Sequence, residues 1–256
     1  MRFTEPAFVA HLLRTCHLPE PVLEVGAGWT PDYHRQPFFD CGYSRTSFLT
    51  QDATTYPPNP PADIIGDVCA LDLADQSIGT ALCFNVLEHC HAPWRAVPEL
   101  TRVLSHGGWL IGSVPCRTAI HRWPRDYWRF MPDGIAELLR GLRMERFVVE
   151  GNPELPANLL FAARKDPAKA DWLAENEAVT ASPYLITDTD YLTESALKKA
   201  AVRLVRRFGY DLGLWTRHDG SSARMLELGY QRWQIVPQGN RWPDEKNGGG
   251  NGSAAT

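Results

Sequence analysis

Over the first two thirds of the chain, short apolar runs rich in β-branched residues alternate with stretches of helical periodicity. Pro21-Val22-Leu23-Glu24-Val25 reads as a strand ending in Gly26-Ala27-Gly28, and Thr46 to Thr50 reads as a second, ending at Asp52. The proline-rich stretch from Tyr56 to Pro61 cannot sustain a helix or a central strand and is expected to be a loop. Ala62 to Ile65, Thr80 to Phe84 and Trp109 to Val114 follow as strands, with Met144 to Val149 and Leu159 to Ala163 as the last candidates. Between the fourth and fifth lies a helix whose apolar face is expected to carry Trp94, Val97, Thr101 and Leu104, and Ile135 to Leu142 forms another. Strands separated by helices build right-handed βαβ units, so the pattern predicts an α/β fold: a doubly wound, mainly parallel sheet with helices on both faces.

Past Arg164 the pattern turns to helix formers and acids with no further buried strand. Residues 1–165 are therefore expected to form the core, 166–243 a helical extension and 244–256 a disordered tail rich in glycine and small polar residues. The best element of the extension is Ser195 to Phe208, with Leu197, Ala201, Leu204, Val205 and Phe208 on one face and five basic residues on the other. Such a face has to be buried, which suggests a role at an acceptor site or a homodimer interface.

Composition narrows the function classes. Twenty-six basic and 30 acidic residues leave a formal charge of -4. Phosphate electrostatics then offer little, and a nucleic-acid partner is not expected. No apolar run approaches the roughly 20 residues that span a bilayer, and MRFTEPAF has no signal-peptide core, so a cytoplasmic protein with no membrane partner is expected. The six cysteines form no C-x-x-C pair and several sit in apolar runs, which reads as buried reduced thiols.

The chemistry lies at the strand ends. Gly26 and Gly28 allow a sharp turn and close approach of a ligand, although a plain strand-to-helix turn is the alternative. Asp52 can accept from the vicinal hydroxyls of a ribose, and Asp67, ending the third strand, from an exocyclic adenine amine. Either acid alone is an ordinary turn residue, but acids at successive strand ends form a pattern. A dinucleotide site would need a third glycine near Thr30 to cradle a pyrophosphate, which the turn lacks.

Glu24 to Gly28, Ile65-Gly66-Asp67, Asn85-Val86-Leu87-Glu88-His89, Arg102-Val103-Leu104 and Gly107-Gly108 resemble, in order and interval, the class I S-adenosylmethionine-dependent methyltransferases. The resemblance covers about residues 21–165. The string Asp126-Tyr127-Trp128-Arg129-Phe130, followed by Pro132-Asp133-Gly134, looks like a bacterial branch acting on small molecules or glycans. It implies a Rossmann-like core binding S-adenosyl-L-methionine through Glu24, Gly26, Gly28, Asp52, Asp67 and Asn85. The family's acidic Leu-Pro-Phe motif is replaced by Leu71-Asp72-Leu73, so the adenine-side wall departs from the pattern.

Transfer to an alcohol requires removal of its proton. His121, in the loop after the fifth strand, is the candidate general base, with Asp126 holding its ring and His89 as the alternative; the competing reading of either histidine is a side chain that packs its loop. Trp123, Arg125, Tyr127 and Arg129 combine flat faces with charge, which suits a sugar, while Trp128 and Phe130 are expected to pack beneath them. Glu88-His89-Cys90-His91 offers metal-type ligands, but adjacent residues rarely converge on one tetrahedral zinc. A loosely held Mg2+ through Asp126 or Glu88 and a substrate hydroxyl is the other metal reading. The expected function is O-methylation of a small molecule, with a sugar or oligosaccharide favoured. A phenol, carboxylate or amine acceptor, a non-catalytic cofactor-binding module and an RNA methyltransferase are the alternatives.

Overall fold

The chain runs α1 (Thr4–Thr15), β1 (Val22–Val25), α2 (Gln36–Asp40), β2 (Phe48–Asp52), β3 (Ile64–Ile65), β4 (Ile78–Phe84), α3 (Pro93–Val103), β5 (Leu104–Pro115), α4 (Pro132–Leu138), β6 (Arg143–Asn152), β7 (Leu155–Arg164), α5 (Leu173–Ala181) and β8 (Tyr184–Ile186). The structure is a computed structural model and describes residues 4–28, 32–122, 125–152 and 155–186. Thr30, Trp123 and the Ser195 to Phe208 segment lie outside the described residues.

The strands form one sheet in the order β3-β2-β1-β4-β5-β7-β6-β8. Strands β1 to β5 are parallel (β3 on β2, β2 on β1, β1 on β4, β4 on β5), β7 runs antiparallel to both β5 and β6, and β8 is parallel to β6. The order reverses between β1 and β4, which opens a crevice at their carboxyl ends.

Alternation with period two sorts the strand residues onto two buried faces. Leu23, Ala81, Cys83, Leu110, Phe147 and Phe161 pack against α3 and α4 through Ala96, Val97, Leu100, Val103 and Ile135. Their neighbours Val22, Leu82, Phe84, Ile111, Val148 and Leu160 pack against α1 and α2 through Phe8, Val9, Leu12 and Phe38. Both faces are covered, which is why the strands read as continuous apolar runs.

Three details differ from the sequence reading. The buried face of α3 is Pro93, Ala96, Val97, Leu100 and Val103, whereas Trp94 is 57% exposed and Thr101 only partly buried. Leu104 already belongs to β5. The sheet also continues past residue 165, because β8 pairs with β6 and α5 packs beside it.

Asn176 of α5 ties that addition to the core. Fully buried, it accepts from the Met144 backbone N–H (2.9 Å) and donates to the carbonyls of Leu139 (3.2 Å) and Leu142 (3.0 Å). A buried polar group left without its partner costs about 1–3 kcal/mol. Asn176→Ala should therefore destabilise by roughly 3 kcal/mol, read as a lower urea midpoint at unchanged slope. A shift under about 1 kcal/mol would mean that α5 is an appendage.

Candidate active site

The carboxyl ends of β1, β2 and β3 lie side by side. The Gly26 N–H donates to the Gln51 carbonyl (2.8 Å) and the Gly66 N–H to that of Asp52 (2.9 Å), tying three turns together. At about 4.8 Å per strand, Gly26–Gly28, Asp52 and Asp67 span roughly 10 Å, the scale of a nucleoside. Gly26 has φ 72°, and a Cβ there would meet Val86 Cγ2 at 2.6 Å, so glycine is required for both conformation and space. The Gly28 N–H donates to Asp52 Oδ2 (2.9 Å), and a Cβ on Gly28 would stand 2.8 Å from the Tyr56 ring. Asp52 is buried at the mouth of this turn. Asp67 is exposed, with Oδ1 accepting from the Cys69 N–H (2.9 Å). A glycine turn without side chains and two acids at adjoining strand ends fit a cofactor carrying an adenosine.

Glu24 and Asn85 are placed differently from the expectation that they bind the cofactor. Glu24 Oε1 lies 2.9 Å from His34 Nδ1 and Oε2 lies 2.7 Å from Arg35 Nε. His34 Nε2 reaches Glu5 of α1 at 3.2 Å, and Glu5 also accepts from the Asn85 amide and the Ser113 hydroxyl. These side chains build a buried polar bridge between α1 and the sheet. Asn85 has φ 52°, a conformation asparagine tolerates, and its backbone N–H donates to Ser113 O (3.0 Å).

The turn after β4 carries Glu88 and His89, and the loop after β5 brings His121 to the same place. The loop is stitched down by backbone: the N–H groups of Tyr127 (2.8 Å) and Trp128 (3.3 Å) donate to Glu88 O, and that of Phe130 to Pro115 O (3.2 Å). The Trp128 indole donates to Cys90 O (2.8 Å), and its ring meets Trp94 edge to face. Phe130 packs on the main core.

Asp126 does not hold the imidazole of His121. Its carboxylate takes both terminal nitrogens of Arg129 and the backbone N–H of His121 (2.8 Å), while His121 Nδ1 stays 3.5 Å away. Arg129 holds that carboxyl far below the usual range. The same guanidinium donates to Thr118 O (3.1 Å) and Ala119 O (3.2 Å). Asp126 and Arg129 therefore brace the loop, with their charged ends paired to each other. Arg125 is exposed and accepts the His89 Nδ1–H through its backbone carbonyl.

Glu88 is fully buried, and neither carboxylate oxygen has a hydrogen-bond partner. The Nε2 atoms of His89 and His121 each stand 3.7 Å from its Oε1, beyond hydrogen-bond length. The two rings are 4.9 Å apart and nearly perpendicular. Glu88 pushes the His121 imidazole upward, with burial opposing. Tyr127, Trp94, Ile120 and Met131 are exposed on the described part of this side. Histidines 89 and 121 meet as their strand ends suggest; Glu88, read from sequence as a possible metal ligand, lies between them as their common centre.

Residues 45–112 match the family model for a methyltransferase domain. No curated protein matches the chain in sequence. Among solved structures, the Burkholderia thailandensis 1,6-didemethyltoxoflavin-N1-methyltransferase, bound to 1,6-didemethyltoxoflavin and S-adenosylhomocysteine, superposes with TM-score 0.50. Identity is 21% over 64% of this chain and 77% of that one. The complex between the Haloferax volcanii Trm112 methyltransferase activator and its partner protein gives TM-score 0.51 at 16% identity, covering 66% of this chain and 91% of that one. The chain shares the fold of these structures, and residues 45–112 are similar to a methyltransferase domain.

Proposed function

We propose that this protein methylates a hydroxyl group of a small molecule, with a sugar or oligosaccharide as the favoured acceptor. The observation that carries the reading is the Glu88–His89–His121 cluster, where a half-exposed imidazole with a raised pKa stands at the carboxyl ends of β4 and β5. When bound, S-adenosyl-L-methionine supplies a methyl group already activated on a sulfonium. The protein's own tasks are to seat the nucleoside, align the acceptor oxygen and remove its proton. Asp52 and Asp67 hold the ribose and adenine, and Gly26 and Gly28 admit the methionine portion. The acceptor hydroxyl loses its proton at His121, and exposed Tyr127 offers a flat face for a sugar ring. The extension read over residues 166–243 serves the acceptor site or a homodimer interface in this reading, and the protein works in the cytoplasm with its cysteines reduced.

Asp52→Ala should weaken S-adenosylmethionine binding about ten- to a hundred-fold by calorimetry, or roughly 1.4–2.7 kcal/mol, in a folded protein. Unchanged affinity would remove Asp52 from the ribose site. The acceptor class is tested by screening sugars, phenols, acids and amines for release of S-adenosylhomocysteine. Turnover confined to amines would overturn the hydroxyl reading.

A further inference from the structure

We propose that Glu88, His89 and His121 together bind a divalent transition-metal ion at the acceptor side of the crevice. The first observation is the state of Glu88. Its carboxylate is wholly buried and neither oxygen accepts a hydrogen bond, which is costly for a charge unless an ion or a protonated imidazole compensates it. The second is convergence. Both Nε2 atoms lie 3.7 Å from the same Oε1, and the three ligand atoms lie within 4.8 Å of one another. A metal with bonds of about 2.0–2.2 Å needs these atoms to draw in by only a few tenths of an ångström.

The third observation is the orientation of the rings. His89 Nδ1 is bonded to Arg125 O, and His121 Nδ1 lies 3.2 Å from Ala119 O. A carbonyl only accepts, so in each neutral ring the proton sits on Nδ1 and the Nε2 lone pair points at the cluster. Metal-ligating histidines are held in the same way, the outer nitrogen donating to a carbonyl or carboxylate that fixes tautomer and rotation. Arg129 and Asp126 hold the chain carrying Ala119 and His121 in place. Two imidazoles and one carboxylate suit a first-row transition ion better than Mg2+, and three protein ligands leave positions open.

The inference rests on reading this cluster as the acceptor site. With the ion bound, Nε2 of His121 would be a ligand and could not take the proton. A hydroxyl in an open position would be acidified by the ion and lose its proton to solvent, so His121 serves as the base only in the ion-free protein. A second group, Asp67, Cys69 and Cys90, lies nearby with the two sulfurs 3.5 Å apart, so the test must separate the two.

The untagged full-length protein, stripped with chelator, is titrated with Co2+ by calorimetry and visible absorption. Binding with ligand-field bands and no thiolate charge-transfer band is expected. It should weaken at least about ten- to a hundred-fold in Glu88→Gln and in His121→Ala, and persist in Cys90→Ser. Retained S-adenosylmethionine affinity in each variant confirms that it is folded. No Co2+ binding by the wild type, full binding in Glu88→Gln and His121→Ala, or a thiolate band lost in Cys90→Ser would each overturn the site. Methyl transfer surviving chelation without Co2+ binding would remove the ion and leave the proposed function standing. Co2+ binding as predicted in a protein that turns over no hydroxyl acceptor would do the reverse.

Discussion

His34→Ala is expected to cost about 3–5 kcal/mol of folding stability, the range for removing one partner of a buried ion pair. His34 bridges Glu5 and Glu24, both almost wholly buried, and its loss leaves Glu5 without a counter-charge beneath α1. Burial opposes charging of the ring, but its hydrogen bonds to Glu24 and Glu5 outweigh that and raise its pKa to about 9. A raised histidine stabilises fully below its unfolded value of 6.5, and the contribution is lost as pH climbs through about 9. Burial pushes Glu5 up, yet His34 and Ser113 hold it below 4.5, so its contribution holds above that value and is lost on acidification. Urea midpoints for the wild type should therefore fall between pH 6.5 and 9, whereas His34→Ala should start lower and lack that slope. A variant with wild-type midpoints across this range would show that the bridge carries no net stability.

His121→Ala is the second large effect. Loss of a positioned proton acceptor should lower kcat by roughly a hundred- to ten-thousand-fold on a hydroxyl acceptor. S-adenosylmethionine affinity should barely change, because the ring lies on the acceptor side, away from the row formed by the glycine turn, Asp52 and Asp67. Since Glu88 raises the His121 pKa, the neutral imidazole forms only above 6.5, and wild-type kcat should climb with pH through that higher value. The deficit of the variant should shrink at high pH, where hydroxide substitutes. A variant keeping most of its turnover would move the role to His89.

The central parallel strands β1 and β4 were legible because each is buried on both faces, so their largely apolar runs mark them. Asp52 and Asp67 were legible because strand-end position follows from strand position. Helix α1 was not read as an element: its Glu5 looks like a solvated first-turn acid, but its partners Asn85 and Ser113 are 80 and 108 residues away. The role of Glu24 was likewise set by distant His34. Trp94 sits at core-like helical spacing yet faces outward to meet Trp128, a contact between separate strand-end loops. Arg129 and Asp126 look like ligand groups in sequence because their mutual pairing depends on how the loop folds. Strand β8, at three residues, is too short to leave a pattern.

The central claim, that a methyl group reaches an acceptor oxygen at the Glu88–His89–His121 cluster, is tested most directly with S-adenosylmethionine labelled with carbon-13 on the methyl group. Wild-type protein and His121→Ala are incubated with a panel of sugars and other hydroxylated acceptors, and the products are followed by carbon–proton correlation spectra. Label appearing as an O-methyl signal with the wild type, and at least about a hundred-fold more slowly with His121→Ala, is the predicted result. Label on nitrogen, or O-methylation at equal rates in both proteins, would contradict it.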